Sequence, residues 1–133
     1  MRFKFAVPVL LAACLVSAVA IAANDKVEAS FQSFSASGVG GKAVLDAVPA
    51  GGTLVHVSLE GLTPGMQYVS RVYSLDQSCG TGTPSEQIQL FEANPAGRAQ
   101  WNTRIGTDIV DIRSISIEAA SDNQLQACAS VTP

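Results

Sequence analysis

From Val27 onward the apolar positions recur at every second residue. Val27, Ala29 and Phe31 alternate with Glu28, Ser30 and Gln32; Val55, Val57 and Leu59 with His56, Ser58 and Glu60; Ala99 and Trp101 with Arg98, Gln100 and Asn102. Successive side chains of a strand point to opposite faces, so each set predicts a strand with one buried and one solvated face. Lys42 to Ala47, Gln67 to Leu75, Gln87 to Ala93 and Ile112 to Ala119 also read as strands. Between them stand Gly38-Val39-Gly40-Gly41, Pro49-Ala50-Gly51-Gly52, Thr63-Pro64-Gly65 and Cys79-Gly80-Thr81-Gly82-Thr83-Pro84. Short strands separated by such turns predict an all-β fold, an antiparallel Ig-like or Greek-key β-sandwich. Asn94-Pro95-Ala96-Gly97 has the residue order of a type I turn and predicts a hairpin with arms Gln87 to Ala93 and Arg98 to Thr103.

The first residues follow another pattern. Arg2 and Lys4 precede an uncharged apolar run from Phe5 to Ala23 that ends in small residues, the layout of a cleaved secretory signal peptide over 1–23. A single domain over 24–133 is expected to remain. Its 110 of 133 residues lack Arg2 and Lys4, which takes the net charge from −3 to −5. Leu11-Ala12-Ala13-Cys14 also matches a bacterial lipobox, in which Cys14 is lipidated and the chain is membrane-anchored. Either processing leaves Cys79 and Cys128 as a pair in an oxidising compartment, where a disulfide is favoured. Without Cys-x-x-Cys spacing the pair reads as a staple rather than a redox centre.

Composition narrows the function classes. Charged residues make up 14% of the chain, against about 25% in an ordinary soluble domain, and 47% is hydrophobic, which excludes a charge-rich disordered chain. A net charge of −3 without a basic block gives no footprint for nucleic acid. One His and three Cys are too few for a closed zinc site built from those residues alone. Gly38-Val39-Gly40-Gly41 lacks the Lys-Ser/Thr of a phosphate loop, so no cofactor is expected there.

Two resemblances meet at one stretch. Leu62-Thr63-Pro64-Gly65-Met66-Gln67-Tyr68, continuing to Tyr73, resembles the tyrosine corner of fibronectin type III modules, which implies structural roles for Leu62, Pro64, Gly65 and Tyr68, with the tyrosine hydroxyl bonded back to the corner backbone. Over a longer span, Gly41-Lys42-Ala43, Gly61-Leu62-Thr63-Pro64-Gly65, Cys79, Ala93-Asn94-Pro95-Ala96-Gly97-Arg98-Ala99, Arg113-Ser114-Ile115-Ser116-Ile117 and Ala127-Cys128-Ala129 occur in an order similar to copper/zinc superoxide dismutases. That resemblance implies a β-sandwich in which Cys79 pairs with Cys128. It does not carry the metal set over: where that family places a His-x-His pair this chain reads Ser70-Arg71-Val72-Tyr73, and Glu118 follows Ile115-Ser116-Ile117.

Few side chains then qualify for chemistry. His56 lies on the solvated side of its strand, and no Gly-x-Ser-x-Gly elbow presents a serine to it. Asp108 and Asp111 read as solvated charges. Tyr73 and Trp101 are the aromatic side chains to consider for a sugar or peptide platform, with Trp101 and Tyr68 expected in the core and Tyr73 and His56 as surface contacts. The expectation is an exported, non-catalytic module that meets an envelope or extracellular protein through its surface. The alternatives are a degenerate dismutase-like protein holding copper or zinc weakly through His56 with Asp76 or Glu118, a carbohydrate-binding sandwich, and a lipoprotein anchored at Cys14.

Overall fold

The computed structural model describes residues 26–74, 79 and 82–131; the signal segment, Cys14 and Asp76 lie outside the described residues. Eight strands follow in chain order: β1 (Lys26–Ser33), β2 (Gly40–Ala47), β3 (Thr53–Glu60), β4 (Gln67–Ser74), β5 (Glu86–Glu92), β6 (Ala99–Ile105), β7 (Ile112–Ala119) and β8 (Leu125–Ser130), with one 3-10 turn at Ile109–Asp111. All pairings are antiparallel, in one sheet of order β5-β4-β7-β8-β1-β2-β3-β6.

The sheet folds over itself. β1 and β8 share only Phe31↔Ala129, Gln32↔Cys128 and Ser33↔Ala127, so β5-β4-β7-β8 and β1-β2-β3-β6 hinge there and close as two layers. The alternating residues of both layers fill the space between: Leu45, Val55 and Val57 from one, Tyr68, Val72, Ile115 and Ile117 from the other. Gly41 lets β2 run against β3, since its φ is +140° and a Cβ there would overlap the Ser58 carbonyl oxygen.

Two expectations change. β8 is a strand that the apolar pattern does not single out, because its inward positions are Ala127 and Ala129, small residues with little hydrophobic contrast. The Asn94 turn forms, with Asn94 Oδ1 accepting from the amides of Ala96 (3.0 Å) and Arg98 (2.9 Å) and Gly97 N–H donating to the Asn94 carbonyl (2.9 Å). Its arms, however, do not pair: β5 bonds to β4 and β6 to β3, at opposite ends of the sheet. Each arm finds a longer partner in its own layer, and the turn spans the gap between layers.

Candidate functional site

A side-chain hydrogen bond closes the corner at the start of β4. Thr63 N–H donates to Tyr68 Oη at 2.9 Å, while Leu62 and the Tyr68 ring are buried and Pro64 and Gly65 stay at the surface. This bond ties the β3–β4 connection to the strand it enters.

Above β4 and β7 the disulfide crosses the outer face. Cys79, from the β4–β5 connection, is bonded to Cys128 on β8, which sits in register beside Ser116 of β7. A disulfide of this kind belongs to a non-cytoplasmic compartment. The outward row beside it is buried although it faces away from the core: Val69 and Tyr73 on β4, Ser114, Ser116 and Glu118 on β7. Tyr73 is 3% exposed, which corrects the expectation of a surface contact through its ring; it lies opposite Ser114 in this covered row. Glu118 accepts from Arg71 at 3.1 Å and from the Ser116 hydroxyl at 2.7 Å, and Arg71 reaches Asn123 Oδ1 at 3.3 Å. The carboxylate is thus committed to a guanidinium and a hydroxyl.

The opposite outer face is open. His56 Nδ1 meets Asn102 Oδ1 at 2.6 Å and its Nε2 meets Asp46 Oδ2 at 3.3 Å, so the ring is tied across β2, β3 and β6. Both ring nitrogens are engaged, leaving neither for a substrate or a metal without breaking a contact. His56 and Glu118 lie on the outer faces of opposite layers, so no single ion can be held by both. Among the described residues no three His, Cys, Asp or Glu side chains cluster as a metal would need. Asp108 has a structural partner: its Oδ1 accepts from Gly52 N–H at 2.7 Å, fastening the β2–β3 turn to the β6–β7 connection, while Asp111 is exposed.

The third feature is the seam where the sheet fails to close. β5 and β6 face each other without a backbone ladder and are joined by side chains. Phe91 packs on Trp101 with centroids 4.3 Å apart and on Tyr68 at 5.6 Å. Thr103 Oγ1 donates to Gln89 Oε1 at 2.8 Å, and Glu86 Oε1 accepts from Thr107 N–H and Oγ1 at 2.9 and 2.8 Å. Trp101 is therefore half-buried against Phe91 rather than displayed as a platform, and its Nε1 has no partner among the described residues. On the outward side of β5, Leu90 is 53% exposed. Sequence alternation places β5 and β6 as strands, but nothing in it tells which strands end a sheet.

No protein-family profile matches the chain, and no curated protein is similar to it at a significant level. Among the described residues no helix is long and apolar enough to cross a membrane.

Proposed function

We propose that the chain is an exported, non-catalytic β-sandwich module that works by surface contact with an envelope or extracellular protein. The observation that carries this reading is the seam: β5 and β6 end the sheet, each paired by backbone on one edge only. Unpaired strand edges are templates for an added strand, and β5 offers Leu90 beside its edge as an apolar anchor. The hydrogen-bonded commitments of His56, Glu118 and Asp108 support a scaffold role for the polar side chains. A photo-cross-linking residue in place of Leu90 tests the reading in the native cells. One discrete adduct from that position, absent when the same residue replaces the exposed Val110, supports it; equal labelling from both positions, or none, rejects it.

A second reading draws on the Cys79–Cys128 bond, which joins the two cysteines that the superoxide dismutase resemblance pairs. On that reading the chain is a dismutase-like sandwich that retains weak copper or zinc binding. Copper titration of the isolated protein decides it, and the absence of a stoichiometric end point would sink it.

A further inference from the structure

The turn between β1 and β2 packs beside the turn between β7 and β8, with Phe34 N–H donating to the Gln126 carbonyl at 2.9 Å and the Ser37 hydroxyl to the same oxygen at 2.5 Å. Between them is a cleft of about 360 Å³ lined by Phe34, Ser35, Ser37, Gln124, Leu125 and Gln126. Its volume falls at the low end of small-molecule sites, about 300–1,000 Å³.

Phe34 is 51% exposed, and the backbone holds it so. Ser35 and Ala36 both have positive φ, +52° and +55°, and Ser37 N–H closes the turn on the Phe34 carbonyl at 3.1 Å. Neither residue is the Gly or Asn that favours such a conformation. The strained turn is pinned from both sides, by Ser37 on Gln126 and by the Ser33 hydroxyl on the Val39 carbonyl at 2.6 Å. Left-handed non-glycine residues cost energy and cluster at ligand clamps and switch regions, and two of the three that the described residues contain are consecutive here. The remaining lining is uncharged. Gln126 Nε2 donates to the Gln124 carbonyl at 3.1 Å, while the Ser35 hydroxyl and the Gln124 side-chain amide make no hydrogen bond among the described residues.

We infer that this cleft binds a neutral saccharide of one or two sugar units. A pyranose offers an apolar C–H face to an aromatic ring and neutral hydroxyls to amide and hydroxyl partners, the two kinds of surface present here. A phosphorylated or carboxylated ligand would find no cation in the lining, and an apolar peptide would find only Phe34 and Leu125. The inference is independent of strand addition at the seam, because the residues involved are different.

The test is an NMR titration of the ¹⁵N-labelled protein with cellotetraose, chitotetraose and maltotetraose up to about 10 mM, above the millimolar Kd of a weak site. At least one sugar is expected to shift the Ser35 backbone amide and the Gln124 and Gln126 side-chain amides to saturation. Phe34→Ala should weaken that binding about tenfold or more, Phe34→Trp should retain it, and Leu90→Ala should leave it unchanged. No saturable shift with any of the three sugars overturns the inference. So does equal affinity in Phe34→Ala, or a shift produced only by a neutral glutamine-rich peptide.

Discussion

The two outer faces of this sandwich are made from the same kind of strand and behave in opposite ways. On β1-β2-β3-β6 the outward row is wet: Glu28 and Lys42 pair at 2.9 Å with both side chains more than half exposed, and His56 bridges Asp46 and Asn102 at the surface. On β5-β4-β7-β8 the outward row is covered, and Arg71–Glu118 is an ion pair whose side chains are 21% and 8% exposed. A charge pair therefore has different weight on the two faces, because water screens the first and is largely withheld from the second. The covered row mixes Val69 and Tyr73 with Ser114, Ser116 and Glu118, so polar groups are withheld from water there along with apolar ones. The disulfide that pins Cys79 beside it supplies the covalent restraint.

The largest effect that would break this contrast is loss of the staple. Cys79→Ser with Cys128→Ser removes a link closing 49 residues of sequence and should cost about 4 kcal/mol in urea unfolding. Hydrogen exchange should rise first in β7 and leave β2 and β3 protected.

Next is a paired substitution across the two faces. Glu118→Ala leaves Arg71 facing a covered site without its partner and should cost about 3 kcal/mol, whereas Lys42→Ala on the wet face should cost no more than about 0.5 kcal/mol. Equal costs would mean that the two rows are equally hydrated.

Within the covered row two serines separate further. Ser116→Ala removes a donor to Glu118 and should destabilise by about 1.5 kcal/mol. The Ser114 hydroxyl is buried with no hydrogen-bond partner among the described residues, so Ser114→Ala should be neutral or stabilising by up to about 1 kcal/mol.

The last comparison lies where the two layers meet, at the β1–β2 turn. Ala36→Gly relieves a left-handed alanine and should raise stability by about 1 kcal/mol. The same change loosens the backbone that presents Phe34 and should weaken any sugar bound there, a coupling that thermal unfolding and the titration read separately.

Much of this architecture is legible along the chain. Alternation marks β1, β3 and β6 because a solvated outer face keeps polar residues between the apolar ones. The same signal blurs in β4, where Tyr68-Val69 and Val72-Tyr73 place large residues on both faces. Outward Val69 and Tyr73 are covered there, so the expectation that Tyr73 is exposed fails for a reason of packing rather than of residue type. β8 escapes the pattern for the opposite reason, its core positions being alanines. The candidate cleft was not legible at all. Phe34 falls just past β1, out of phase with its inward Ala29 and Phe31, and its companions Gln124 and Gln126 lie far away in sequence.

By itself, the order of residues determined the all-β class, most of the strands and most of the breaks between them, and it placed two cysteines, Cys79 and Cys128, in the strand-rich part of the chain. The strands and breaks depend on the two-residue period of a strand and on turn residues that act within a few positions. Only the tertiary structure decided which strands end the sheet, which outer face is covered and which polar groups share a site. Those outcomes rest on contacts between residues far apart in the chain, such as Arg71 with Glu118 and Phe34 with Gln126, and a local period carries no record of them.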